Sequence, residues 1–227
     1  MDFPFVDFHT HRPKASEPCV VNLPRDGAFP IDTPAFPEKE RDFDAKTRWY
    51  CYGIHPWWTG NTENETRLLE QLLQENRIAM VGETGVDKAH PPLERQLETF
   101  EHQIALSEIY QKPMVLHNVK GTGEILSMHK KLKPTQAWVI HGFNGTQEEA
   151  RQLTDRGICV SVGESLLYEN RKITKTISSI PLEFLLFETD EAPIPVSDIY
   201  KKASLLLEIP LVVLKEKIFT NFARIIS

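Results

Sequence analysis

The stretch Phe3-Pro-Phe-Val-Asp7-Phe8-His9-Thr-His11 decides the fold. An apolar run of strand length ends on a His-x-His pair. In a doubly wound open sheet, the turn after the first strand carries a glycine-rich phosphate loop. Here two imidazoles stand in that place. Seven further apolar runs follow: Cys19–Leu23, Trp49–Ile54, Ile78–Val81, Met114–Leu116, Ala137–Ile140, Ile158–Val162 and Phe184–Phe187. Each is about as long as a strand and is bounded by turn or polar residues.

Helical patterns lie between these runs. Thr62 with Glu65 reads as a capping box, and Leu68, Leu69, Leu72 and Leu73 then form one apolar stripe. Leu93, Leu97, Phe100 and Ile104 mark a helix that begins near Pro91 and Pro92. Thr146 with Glu149 is a second capping box, and Leu211, Leu214, Ile218, Phe222 and Ile225 give the last helix. Strands separated by helices predict a parallel α/β sheet. Up to eight strands predict a compact (β/α)8 TIM-type barrel, as one domain over residues 1–227. The gap from Phe8 to Cys19 is too short for a loop and a full helix, so the first helix is reduced or missing. The stretch from Pro24 to Lys46, rich in prolines and charges, reads as the flexible part.

Composition sets limits on function. The 227 residues are 41% hydrophobic and 26% charged, ordinary for a chain with a full core. There is no apolar window long enough for a membrane span, and the N-terminus lacks the basic region of a signal peptide. Cys19, Cys51 and Cys159 are few, odd in number and far apart, which points to a reducing, cytoplasmic setting. A net charge of −6 gives no general attraction for nucleic acid or anionic membrane, so a nucleic-acid role needs a local site. A serine nucleophile elbow, a P-loop and a dinucleotide fingerprint are all absent. No obligate protein partner is evident.

The chemistry collects just past the apolar runs. His9 and His11 follow the first, His55 the third, Glu83 the fourth, His117 the fifth, His141 the sixth, and Glu188 and Asp190 the last. In a barrel those strand ends share one face, where active sites are built. Imidazoles and carboxylates are ligands for zinc and similar divalent ions. Taken singly, each has a bland reading: a core histidine, a salt-bridging glutamate, a capping aspartate. Their recurrence at successive strand ends is what those readings leave unexplained. Four histidines with Glu83 and Asp190 are too many for one tetrahedral site and suit two ions sharing a carboxylate. His55, in Gly-Ile-His-Pro-Trp-Trp, reads either as a substrate contact or as a turn histidine packed by Trp57 or Trp58. Lys88 and Lys120 read first as rim lysines and second as phosphate contacts.

The ordered set resembles the TatD-related metal-dependent hydrolases and deoxyribonucleases. The matching pieces are Asp7-Phe-His-Thr-His11, Gly53-Ile-His-Pro56, Gly82-Glu-Thr-Gly-Val-Asp87, Gln96 to Phe100 and Val115-Leu-His117. They continue with His141-Gly-Phe-Asn-Gly145, Leu186-Phe-Glu-Thr-Asp190 with Ala192-Pro193, and Asn221-Phe222. The resemblance implies an amidohydrolase-like TIM barrel with one or two divalent ions such as Zn, Mg or Mn. It implies that His9, His11 and Asp190 hold one ion, that Glu83 bridges to a second, and that His117 and His141 complete the second site. Asp190 would also act as general base toward the metal-activated water, and His55, with Lys120 as a second candidate, would contact substrate. Family members usually carry an arginine two residues after the His117 position; this chain has Val119, followed by Lys120. Lysine is a point charge and lacks the bidentate fork.

The expected activity is hydrolysis of phosphodiesters in the manner of a TatD-like deoxyribonuclease, with nucleic acid or another phosphodiester or ester as substrate. The alternatives are a metal-dependent esterase or amidohydrolase, for example an aminoacyl-tRNA deacylase, and a non-catalytic metal-binding scaffold.

Overall fold

The structure, a computed structural model, describes residues 3–14, 17–29 and 47–227. Most of the stretch expected to be flexible, from Pro24 to Lys46, lies outside the described residues. All eight expected strands are present: β1 (Asp7–Thr10), β2 (Cys19–Asn22), β3 (Arg48–Tyr52), β4 (Met80–Asp87), β5 (Met114–Val119), β6 (Trp138–Ile140), β7 (Cys159–Val162) and β8 (Leu185–Phe187). They follow one another in chain order in one eight-stranded sheet. The helices are α1 (Glu63–Gln74), α2 (Leu93–Tyr110), α3 (Thr122–Leu132), α4 (Gln147–Thr154), the short α5 (Ile173–Thr176), α6 (Val196–Leu207) and α7 (Leu211–Ile226). This is the strand-helix order of a (β/α)8 barrel. No helix occupies the described residues between β1 and β2, as the short gap predicts.

Two compact units share this order. One contains β1, most of β2, β7, β8 and the helices from α4 onward. Asp7 pairs with Cys19 in parallel, Val160 with Leu185, and an isolated parallel bridge joins Thr10 to Asp190. Its core is aromatic: the Phe222 ring lies 4.9 Å from Trp49, and Phe187 lies 4.7 Å from Tyr200. Tyr200 is wholly buried, and its hydroxyl donates to the Val6 carbonyl at 3.0 Å, satisfying a polar tip in an apolar core. Asn221 of α7 donates to the carbonyls of Leu182 and Leu185, which fastens that helix to the start of β8. Thr146 and Glu149 form the expected capping box on α4.

The second unit contains most of β3, then β4, β5, β6 and α1 to α3. Cys51 pairs with Met80, Val81 with Met114, and Met114 with Trp138, all in parallel. Leu69, Leu72 and Leu73 of α1 are buried, three of the four leucines in the expected stripe. The expected Thr62–Glu65 capping box is not formed, and the Thr62 side chain makes no cap bond. Instead Asn61 accepts from the Glu63 amide at 3.3 Å, a local side-chain turn competing with the cap.

The strand β4 runs further than its apolar run. It was expected over Ile78–Val81 with Glu83 beyond its end, yet Glu83 lies inside it. Gly82 and Gly85 lie in the Gly82–Asp87 motif. They are places of close strand approach: a Cβ on either would stand 2.3 Å from a carbonyl oxygen of β5, those of Val115 and His117. Their φ values of +149° and +130° also favour glycine. β5 likewise extends past its apolar run, so His117 sits within it.

Candidate metal centre

The first unit brings His9, His11 and Asp190 together, from residues about 180 positions apart in sequence. His9 Nε2 lies 3.8 Å and His11 Nε2 3.5 Å from Asp190 Oδ1. Ligands held about 2.1 Å from one tetrahedral ion stand roughly 3.4 Å apart. The trio therefore has the spacing and the donor types of a divalent-ion site. Asp190 is placed by the backbone: its amide donates to the His9 carbonyl at 2.9 Å, and the His11 amide donates to the Asp190 carbonyl at 3.0 Å. Below it, the Thr189 amide and hydroxyl donate to the two Asp7 oxygens at 2.8 and 2.6 Å. Burial pushes the Asp7 carboxyl up to about 8, against the downward pull of these two bonds.

His141 belongs to the same unit, with its ring 4.7 Å from that of His9. Its Nδ1 lies 3.5 Å from Oε1 of Glu188. Glu188 is fully buried and accepts from the Gly142 amide at 2.6 Å through that oxygen. Its other oxygen is buried with no hydrogen-bond partner among the described residues. The strand-end pattern touched Glu188 without giving it a role.

The second unit brings Glu83, His55 and His117 together. Each histidine places a ring nitrogen 3.8 Å from Glu83 Oε2, Nε2 for His55 and Nδ1 for His117. The tautomers differ. His55 Nδ1 accepts from the Trp57 amide at 3.2 Å, so the neutral ring carries its proton on Nε2. That nitrogen is a donor. His117 Nε2 lies 3.3 Å from Asp87 Oδ2, so its proton sits there and Nδ1 presents the lone pair toward Glu83. A carboxylate that orients an imidazole in this way is a recurring feature behind metal-bound histidines.

Asp87 closed the family motif in the sequence but had no assigned role. It is a hub: Oδ2 also accepts from Trp57 Nε1 at 2.6 Å and lies 3.1 Å from His90 Nδ1, while Oδ1 accepts from the Ala89 amide. Burial pushes its carboxyl up, but the bonds from Trp57, Ala89, His117 and His90 together hold it below its ordinary value. Two buried glutamines of α2 lock the loops. Gln96 bonds the Asp87 amide and carbonyl and the His90 carbonyl; Gln103 bonds both backbone groups of Ile54 and the Thr84 hydroxyl. Asn22 donates to Glu83 Oε1 at 3.0 Å. The apolar stripe of α2 gives no sign of the glutamines, and Asn22 has no sequence signal at all. Lys88 is engaged by Glu124 at 2.6 Å. Lys120 is exposed, in left-handed backbone at φ 55°.

Residues 38–227 match the family model described as TatD related DNase. The chain belongs to the TatD family. An uncharacterized metal-dependent hydrolase of Haemophilus influenzae is 32% identical over 158 residues, 64% of this chain and 60% of that one. A 3'-5' ssDNA/RNA exonuclease TatD of Citrobacter koseri is 26% identical over 148 residues, 63% of this chain and 57% of that one. These matches span about three fifths of the curated relatives' own length. The crystal structure of the TatD homolog YjjV from Escherichia coli K12 has the same fold, with a TM-score of 0.83, 20% identity, and coverage of 99% of this chain and 98% of that one.

Proposed function

We propose that this TatD-family chain is a divalent-metal-dependent hydrolase that cleaves phosphodiester bonds, with a nucleic-acid strand as substrate. The observation that carries the reading is the His9–His11–Asp190 trio, whose 3.5 and 3.8 Å separations suit one ion. The ligand set proposed is His9, His11, Glu83, His117, His141 and Asp190, for one or two ions of Zn, Mg or Mn. Bound ions would supply Lewis-acid polarisation of the scissile group and a water acidic enough to ionise near neutral pH.

The chain's own residues do the rest. Asp190, with its backbone fixed at both neighbours, accepts a proton from the attacking water and orients it. Asp87 keeps the His117 proton on Nε2, so Nδ1 is held as the ligating atom. His55 carries its proton on Nε2 and donates it to a substrate oxygen. Lys120 supplies a point charge near the phosphate. None of Cys19, Cys51 and Cys159 is in a disulfide, which supports a reducing, cytoplasmic setting. Among the described residues, no helix is long and apolar enough to cross a membrane.

The reading is tested by the metal content of the untreated protein, followed by a panel of single-stranded DNA, aryl phosphodiesters, aminoacyl esters and amides. Co-purified metal and metal-dependent cleavage of the phosphodiesters are expected. A metal-loaded protein inert on every substrate would return the chain to the scaffold reading. One observation favours an ester or amide substrate: residue 119 is valine, where the family resemblance leads one to expect an arginine, so no guanidinium fork grips phosphate there. Val119→Arg separates the two readings. If phosphodiesters are the substrate, the variant lowers KM for them and leaves aminoacyl esters unchanged. A variant that gains nothing on phosphodiesters, in a protein already active on esters, favours the ester reading.

A further inference from the structure

We propose that Trp57 and His90 form a stacking subsite for one nucleobase of a single-stranded nucleic acid, beside the Glu83–His117 cluster. The proposal rests on the phosphodiesterase reading and names what that substrate must carry. Trp57 is 51% exposed, whereas Trp49 and Trp138 are buried. An exposed indole is ordinarily free to change rotamer, but this one is pinned. Its Nε1 donates to Asp87 Oδ2 at 2.6 Å, and its ring stands 4.8 Å from His55, edge to face. The His90 ring lies 4.6 Å from the indole at an interplanar angle of 32°. His90 is itself 51% exposed and is held by the same Asp87 oxygen at 3.1 Å. One carboxylate therefore fixes two flat rings, each about half exposed.

The same oxygen meets His117 Nε2 at 3.3 Å, so the platform is held in register with a proposed metal ligand. Trp58, 42% exposed, adds a further aromatic ring next to His55, with their ring centroids 5.4 Å apart. A pre-ordered planar pair fits a planar ligand best, because its side-chain entropy is already spent. The net charge of −6 leaves little general attraction for phosphate, so contact with a nucleic-acid strand needs a non-ionic source. Base stacking on aromatic side chains is such a source and tolerates any sequence.

The test compares a labelled oligo(dT) with an abasic strand of equal length. Binding is read by fluorescence anisotropy without added metal, and hydrolysis is read separately with metal. The wild type should bind oligo(dT) about 5- to 100-fold more tightly than the abasic strand, a difference that persists at higher salt. Trp57→Ala should bring oligo(dT) to the abasic level, while Trp57→Phe, which keeps a ring, should retain most of the preference. His90→Ala, which leaves the Trp57–Asp87 bond in place, should lose part of it. Equal binding of the two strands by the wild type, or a Trp57→Ala loss shared equally by both, would overturn the subsite. A preserved base preference without any metal-dependent turnover would keep the subsite and remove the hydrolase reading. Turnover of both strands with equal kcat/KM would do the reverse.

Discussion

The His9 cluster and the Glu83 cluster use the same ligand chemistry and are braced in opposite ways. Around His9 and Asp190 the bracing is backbone: a parallel bridge from Thr10 to Asp190, reciprocal amide bonds, and Thr189 seated on Asp7 across 182 positions of sequence. Around Glu83 it is side chain: Asp87 gathers Trp57, His90 and His117 within a local stretch of chain, and half of Trp57 lies in solvent. A backbone clasp is rigid because each strand is fixed by its own ladder, so the carboxylate it carries has few ways to move. A side-chain hub fixes ring orientation and tautomer yet leaves an open edge. The first arrangement suits holding an ion and a proton acceptor in place. The second suits a ligand that must also meet substrate.

The largest expected effect lies at the clasp. Asp190→Asn keeps the backbone bonds and removes the charge, so it should lower kcat by about 10²- to 10⁴-fold with the fold intact. A metal titration run alongside should show weaker loading. Full activity in the Asn variant would remove Asp190 from the chemistry altogether.

The pair Asp7→Ala and Asp87→Ala tests the contrast itself. Asp7→Ala strands the buried Thr189 amide, while the Thr189 hydroxyl keeps Thr10 as its acceptor at 3.0 Å; the loss is about 1–3 kcal/mol and should lower Tm by several degrees. Asp87→Ala frees the orientation of His117, and its main cost should be metal affinity, lower by about 10- to 100-fold. If Asp7→Ala leaves Tm alone and Asp87→Ala unfolds the chain, the assignment of rigid clasp and orienting hub is reversed.

How much of this is legible in the sequence depends on the kind of residue. The eight strands announce themselves because each is an apolar run, and the proposed ligand histidines stand out because they follow those runs. The bracing residues do not. Gln103 carries no signal, and Gln96 enters only as the start of a family-matching piece; both are polar positions in a helix read by its apolar stripe, yet both are buried because they bond loop backbone. Asn22 contacts Glu83 only through tertiary proximity. Gly82 and Gly85 stand in the sequence only as letters of the Gly82–Asp87 motif, whereas their service is to let β5 approach β4. Glu188 lies at a strand end like the proposed ligands, but its burial against His141 and the Gly142 amide is a property of the folded unit.

The smallest expected effect calibrates the comparison, because it concerns a bracing carboxylate whose bonds run to Thr135 and Gln136 and not to the residues of the Glu83 cluster in its own unit. Glu108, near the end of α2, accepts from the Thr135 amide and hydroxyl and from the Gln136 amide, at distances of 2.7–3.1 Å. Partial burial pushes its carboxyl up, but these bonds outweigh it and hold the group below its ordinary 4.5. In acid the unfolded chain therefore binds a proton more readily than the folded one. The contribution is present above pH 4.5 and is lost as pH falls through the lower folded value. Glu108→Gln should thus cost about 1 kcal/mol at neutral pH, and the gap to wild type should close in acid, as read by denaturant melts across pH. Metal content and kcat should not change. A Glu108 variant that lost metal would mean that bracing anywhere in this unit reaches the ligands, and the special standing of Asp87 would then rest on its contacts with the rings alone.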